Sequence, residues 1–300
     1  MNLHMSYNAI VIAGPTGVGK TALSLKLAKI LDADIISADS MQIYKGLDIG
    51  TAKILPDEME GIKHYMLDIV NPDEYYSVGD FEKDANNILN TNYKNYLVVG
   101  GTGLYISSLT DGFSDLPEKN NEIRDKLEKM ELSDLVEELK KVDEETYNTI
   151  DKLNKVRVVR ALEIYYISGQ KMSEIVKKNN KNNDYNFLKI FLTRDREELY
   201  GLINKRIDIM IDKGLIEEAK HIFNKYPDNK SIGYKELFGY FKGEITLNEA
   251  VDLIKQKSRN YAKRQMTWFN KRNDYIIYNM SELSEEYIIE DILKKFKRGK

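Results

Sequence analysis

No cysteine occurs in the 300 residues, which excludes disulfides and thiolate metal sites. Histidine is almost as scarce. His4, His64 and His221 stand far apart without metal-ligand spacing, and each reads as an ordinary surface or partly buried side chain. No apolar run is long enough to span a bilayer. The first residues lack a basic stretch followed by an apolar core, so no secretory signal is expected. An excess of positive charge is missing too: a net charge of −3 argues against a general nucleic-acid binder. With 42% hydrophobic and 31% charged residues, the chain reads as an ordinary soluble protein of one large domain or two smaller ones, expected in the cytoplasm.

What the chain does have stands near its start. Gly14-Pro15-Thr16-Gly17-Val18-Gly19-Lys20-Thr21 fits the pattern G-x-x-x-x-G-K-[ST] at every fixed position. The apolar run Ala9–Ala13 before it reads as a buried strand, and Ala22–Ala28 after it as a helix. That order is the context the motif requires. In such a loop the backbone amides turn inward on a phosphate, and the helix N-terminus adds partial positive charge. Lys20 brings a full charge, and the Thr21 hydroxyl can ligate Mg2+. A Gly-rich turn without a ligand is the plainer reading; the agreement of motif and context weighs against it. The loop thus predicts a polyphosphate or diphosphate site without naming the reaction.

Apolar runs alternate with helical patterns over the first third, as in βαβ units. Asp34–Ser37 and Tyr96–Val99 read as further parallel strands, with loops Ala38–Gln42 and Gly100–Gly103 at their C-terminal ends. Ligands sit at those ends in open α/β sheets, so the phosphate loop, Asp39 and Thr102 are expected to face one crevice. The predicted fold is α/β: a phosphate-loop parallel-sheet core over 1–115 and 187–300, with a mostly helical insertion over 116–186. In the insertion glycine is nearly absent, charge is dense and the apolar period is helical. Lys177–Asn183 reads as a loop or linker, and Phe187–Leu192 as a strand returning to the sheet. Helical patterns follow over 196–210, 215–223 and 247–269, and the Lys-rich last residues read as a frayed tail.

A phosphate-loop NTPase usually holds Mg2+ and water with an acidic residue at the end of a buried strand. Here Val98-Val99 runs into Gly100-Gly101, and no other apolar strand ends in Asp or Glu. Two readings survive: a small-molecule or nucleotide kinase, or an enzyme that grips another substrate's diphosphate. Asp39 is the acid–base candidate, able to take a proton from a nucleophile; the alternative is a helix N-cap. Thr102 either hydrogen-bonds substrate or caps the helix after it. Near the C-terminus Lys255, Lys257, Arg259, Lys263, Arg264, Lys271 and Arg272 are interleaved with Tyr261, Trp268 and Phe269. Such a stretch either tracks a phosphate backbone and stacks bases or is the solvated face of an amphipathic helix.

Taken together, these segments resemble the tRNA dimethylallyltransferase family. The resemblance is carried by Gly14–Thr21, Ile36–Tyr44, Leu47–Lys53, Val99–Tyr105, Arg157–Glu163, Ser231–Glu236 and Tyr261–Phe269, in one order from about residue 8 to about residue 272. It implies transfer of a dimethylallyl group from dimethylallyl diphosphate to N6 of adenine-37, 3′ of the anticodon, in tRNAs reading codons that begin with U. It also implies Mg2+ as cofactor, the tRNA anticodon stem-loop as partner, no membrane, and a monomer.

By position, the resemblance implies that Gly14, Pro15, Thr16, Gly17, Val18, Gly19, Lys20 and Thr21 hold the diphosphate with Arg206. Thr21 ligates the metal, and Asp39, Thr102 and Arg206 form the catalytic set. Asp39, Ser40, Met41, Gln42, Thr102, Arg124, Arg157, Arg160, Lys263 and Arg264 meet the tRNA. Two departures are visible. Asn154-Lys155-Val156 stands where the family often has a proline and an acidic residue. The tail after Lys271 lacks a Cys/His pair, so the resemblance is to the bacterial type.

Overall fold

The computed structural model describes residues 7–91, 94–112, 116–178 and 185–298. The chain divides into two compact units, Met1–Thr110 with Asp184–Lys300, and Asp111–Asn183. The sequence-based boundaries at 116 and 186 lie a few residues from these. His4 and most of the expected Lys177–Asn183 linker lie outside the described residues.

In the first unit the chain runs β1 (Ala9–Ala13), α1 (Lys20–Leu31), β2 (Ala33–Ala38), β3 (His64–Tyr65), α2 (Val78–Thr91), β4 (Asn95–Gly100) and α3 (Gly103–Asp111). The second unit holds α4 (Asn121–Glu128), α5 (Leu132–Val142), α6 (Glu144–Thr149), α7 (Lys155–Ser168) and α8 (Met172–Lys178). The chain returns through β5 (Phe187–Thr193), α9 (Arg196–Asp212), α10 (Leu215–Lys225), α11 (Lys235–Phe241), α12 (Leu247–Phe269), β6 (Ile276–Asn279) and α13 (Glu285–Arg298).

The described strands form one parallel sheet in the order β3-β2-β4-β1-β5-β6. β1 and β2 are buried along their whole length; β1 therefore reads as an unbroken apolar run rather than an alternating one, while β2 carries the buried Asp34 and Ser37 within it. Ile10, Ile12, Ile35 and Leu97 pack toward α1 and α13; Val11, Ile36, Val98 and Phe191 pack toward α2 and α3. A third cluster, of Leu47, Ile207, Leu215, Tyr234, Leu237 and Ile254, joins α9–α12 to the segment after β2.

The last helix corrects the expected frayed tail. Ile288, Ile289, Ile292 and Phe296 recur on one face of α13 and are buried in the sheet core, with the lysines turned outward. α12 starts from a capping box, in which the Thr246 hydroxyl accepts the Glu249 amide and the Glu249 carboxylate accepts the Thr246 amide at 2.7 Å. In the second unit Leu127, Leu135, Leu139, Val158 and Leu162 form a separate core. The Asn154 side chain caps α7, accepting the Arg157 amide, so the departure Asn154-Lys155-Val156 is a helix start.

Candidate active site

Three strand ends build the site. β1 leads into the phosphate loop, β2 into Asp39–Gln42 and β4 into Gly101-Thr102. Because β4 lies between β2 and β1, its loop sits between the other two. Gly17 and Gly19 take φ of 79° and 111°, left-handed values that a side chain would oppose. Gly19 opens α1 without a side-chain cap, so no side chain claims the first helical amides there.

Lys20 Nζ donates to Gly14 O at 2.9 Å and Pro15 O at 2.8 Å. Burial pulls its pKa from 10.5 down to about 8, with Asp39 opposing and Arg206 adding to the shift. Arg206 enters from α9, and its Nη1 lies 3.4 Å from Thr16 Oγ1. Burial lowers its pKa as well, again against the attraction of Asp39. The site therefore gathers two desolvated cations and a carboxylate around the phosphate loop.

Thr102 holds Asp39 from both sides. Its amide donates to Ala38 O at 3.1 Å, and its Oγ1 accepts the Ser40 amide at 3.0 Å and lies 3.3 Å from Ser40 Oγ. Asp39 Oδ1 accepts the Met41 amide at 2.9 Å, closing a turn rather than capping a helix. The Thr102 hydroxyl is likewise directed to Ser40, not to an amide of α3. Gln42 Oε1 accepts from the Ser37 hydroxyl at 3.0 Å, and its Nε2 donates to Thr51 O and Ala52 O, each at 3.3 Å. Met41 Sδ lies 3.2 Å from Ser231 Oγ.

Lys20, Thr21, Asp39, Gln42 and Arg206 face a cleft with an enclosed volume of about 80 Å³, and Thr102, Ser40 and Met41 stand outside its lining. Lys20, Thr21, Asp39 and Arg206 line it together with the apolar side chains of Ile35, Ile54, Leu67 and Val99. A small ligand with an anionic head and a short apolar body fits that division. Sequence reasoning assigned no role to Ile54, Leu67 or His64. Burial lowers the His64 pKa, and its Nδ1 is 2.9 Å from Ile62 O.

Gln265 and Glu218 were also missed. Gln265 Oε1 accepts the Thr16 amide at 2.9 Å and its Nε2 donates to Gly101 O at 3.0 Å. A Cβ on Gly101 would fall 2.1 Å from that Nε2, and one on Gly103 would fall 2.3 Å from the Trp268 ring. The segments Val99–Tyr105 and Tyr261–Phe269 are therefore packed against each other. The signal was the matched spacing: two glycines two apart beneath a glutamine and a tryptophan three apart on a helix. Glu218, on α10, accepts the amides of Asp48, Ile49 and Gly50 at 3.2, 2.9 and 3.0 Å and the Tyr234 hydroxyl at 2.5 Å. It anchors the segment whose Thr51, Ala52 and Ile54 wall the cleft.

The basic stretch is part paired and part exposed. Lys255 pairs with Asp208 and Arg259 donates to Asn204, both at 2.6 Å. Lys263 and Arg264 are exposed, with the Arg264 guanidinium 5.5 Å from the Tyr261 ring centre. In the second unit Arg157 is exposed on the first turn of α7. Arg124 and Arg160 instead donate to the buried Glu163 carboxylate at 2.6 and 2.8 Å, and Arg160 also to Pro117 O at 2.7 Å. Among the described residues no group of three or more His, Asp or Glu could hold a metal ion. Nor is any helix there long and apolar enough to cross a membrane.

The fold and the cleft define a phosphate-loop α/β protein whose loop faces a carboxylate across an apolar-walled pocket. The sequence model of the IPP transferase family matches residues 42–272, and the chain belongs to that family. A tRNA dimethylallyltransferase of Fusobacterium nucleatum is 52% identical over 293 residues, covering 96% of this chain and 97% of that protein. The crystal structure of a full-length tRNA isopentenylpyrophosphate transferase from Bacillus halodurans superposes with a TM-score of 0.73 at 36% identity, covering 98% of both chains. A eukaryotic dimethylallyltransferase acting on tRNA gives 0.83 at 29% identity, over 96% of this chain and 80% of that one.

Proposed function

We propose that this protein transfers the dimethylallyl group of dimethylallyl diphosphate to N6 of adenine-37 in tRNAs reading codons that begin with U. The observation that carries this reading is the cleft. Lys20 and Arg206 stand at the phosphate loop, Asp39 shares the pocket with them, and Ile35, Ile54, Leu67 and Val99 offer an apolar wall.

In the reaction N6 forms a bond to the allylic carbon as that carbon's bond to the diphosphate oxygen breaks. The adenine amine is a poor nucleophile because its lone pair is delocalised into the ring. Most of the acceleration therefore comes from geometry and from stabilising the leaving group. Lys20, Arg206 and the amides of residues 14–21 take up the charge that develops on the diphosphate. Asp39 Oδ1 is committed to the Met41 amide, and in this reading the other oxygen orients the amine and accepts its proton. Thr102 keeps Asp39 in place.

Mg2+ fits this donor set only with help from the substrate. The Thr21 hydroxyl would hold it together with diphosphate oxygens, as the described residues supply no acidic cluster. Bound there, Mg2+ would neutralise part of the diphosphate charge. On the RNA side, Lys263, Arg264 and Arg157 are exposed cations suited to phosphates. Ser40, Met41 and Gln42 would border the target base, which must leave the loop stack to reach the carboxylate. Arg124 and Arg160 would meet RNA from positions fixed by Glu163. We further propose a cytoplasmic, monomeric enzyme.

The test is mass spectrometry of nucleosides after incubating the protein with Mg2+, dimethylallyl diphosphate and an unmodified anticodon stem-loop, without ATP. N6-dimethylallyladenosine is the expected product. ATP-dependent phosphorylation of a small molecule, with no modified adenosine, would replace this reading with that of a kinase.

A further inference from the structure

Gln265 is a neutral side chain on a helix whose neighbouring residues Lys263 and Arg264 are exposed, yet it is 5% exposed itself. Burying an amide costs free energy unless its donor and acceptor are satisfied. Both are satisfied here, by two different loops of the site: the Thr16 amide of the phosphate loop and the carbonyl of Gly101. The next residue, Thr102, grips the backbone on each side of Asp39, through Ala38 O and the Ser40 amide. Hydrogen bonds of Gln265 and of Thr102, joined by the Gly101–Thr102 backbone, thus link the loop that takes the diphosphate to the backbone that carries the carboxylate. Tyr261, one turn earlier on α12, stands beside Thr102 and Gln265, and burial pushes its hydroxyl pKa up to about 12, so it stays protonated.

The approach is close enough to exclude alternatives. The Gly101 position has room for no side chain, since its Cβ would meet Gln265 Nε2 at 2.1 Å and Gly14 O at 3.1 Å. Gln265 therefore fills the space between the two loops and sets their separation. The donor carbon and the adenine amine are delivered by different loops, so that separation decides whether the nucleophile lies in line with the breaking bond.

We infer that Gln265 is a positioning residue for the transfer step, holding the phosphate loop and the Asp39 loop at the spacing the reaction needs. It touches neither reacting atom in this assignment. The inference rests on the dimethylallyl-transfer reading given above. A glutamine that only fills space would, when removed, loosen the protein and weaken binding of both substrates. A positioning residue instead lowers kcat, because a misplacement near 1 Å costs on the order of 100-fold in rate.

Q265M keeps the volume and removes both hydrogen bonds. Its expected kcat is reduced about 10- to 100-fold, with KM for donor and RNA each within about three-fold of the wild type. The decisive measurement is a cycle with D39A. If Gln265 acts by placing Asp39 against the donor, Q265M has little further effect on kcat in the D39A background. Should Q265M fail to fold, Q265N, which keeps the amide but loses the reach, takes its place. Multiplicative effects in the cycle, or an unchanged kcat in a folded variant, would overturn the inference while leaving the transferase reading intact. Absence of dimethylallyl transfer by the wild-type enzyme would instead overturn that reading.

Discussion

At the residue scale the site is governed by what burial does to charge. Asp39→Ala is expected to lower kcat about 10²- to 10⁴-fold, the usual range for a general base, with RNA affinity largely kept. Single-turnover transfer alongside filter binding checks this, and undiminished turnover would remove Asp39 from the mechanism. Lys20 supplies a pH signature. Its pKa lies near 8 in the free protein, and a bound diphosphate favours the charged ammonium and so raises it. Donor affinity is therefore flat below about pH 8 and falls above it, by up to about tenfold per unit until the bound-state pKa is reached. Titration calorimetry across pH 7–10 should show this fall, and Lys20→Arg, which cannot titrate there, should remove it.

Among the elements, α7 has the most to lose from one substitution. Its Glu163 is wholly buried and receives Arg124, Arg160 and the Asn120 amide. Burial alone would raise the Glu163 pKa, but those hydrogen bonds outweigh it and hold it below 4.5. Its contribution to stability is complete above the unfolded-state value and is lost as pH falls through the folded one. Asp143, held by Thr146 and Ser173, behaves the same way. The helical unit should therefore soften in acid, visible as loss of helical circular dichroism below about pH 4. Glu163→Ala, which leaves two guanidinium groups unpaired, should cost about 3–5 kcal/mol. A loss below 1 kcal/mol in a urea titration would show that the arginines find other partners.

The elements also show what could be read in the chain beforehand. The phosphate loop, the strands β1, β2, β4 and β5, and α12 were legible because their signals are local: glycine spacing, short largely apolar runs, a helical period. Asp39 and Thr102 were legible as residues at strand ends. β3, only His64-Tyr65, is too short to carry a pattern. The buried face of α13 was written in Ile288, Ile289, Ile292 and Phe296, but the lysines around them suggested a loose tail. Gln265, Glu218 and Leu67 acquire their roles only through partners far away in the chain, the Thr16 amide lying 249 residues from Gln265. For Glu218 and Leu67 nothing in the immediate neighbours marks this; for Gln265 the only trace is its spacing from Trp268, matched to that of Gly101 and Gly103.

For the molecule as a whole, the balance of charge matters less than its distribution. The chain carries a net −3 yet presents Lys263 and Arg264 together on an exposed helix face. Binding to the anticodon stem-loop is expected to weaken with salt. Replacing both residues by alanine should reduce the slope of log K against log salt by about 1.4 for a single-stranded contact, at roughly 0.7 per phosphate. An unchanged slope would leave α12 with only its packing role.

In the resting protein Lys20 already has occupants for its ammonium, the carbonyls of Gly14 and Pro15. Two of its three hydrogens are thus engaged, so an arriving anion takes the third outright and any further one only in exchange with the loop itself, which limits the gain. Much of the preference for the intact donor must then come from its hydrocarbon, seated against Ile35, Ile54, Leu67 and Val99. Once the hydrocarbon has moved to the adenine, the diphosphate left behind has lost that advantage, and the lysine can fold back onto its own loop. The same closed loop that makes entry selective gives the by-product a way out.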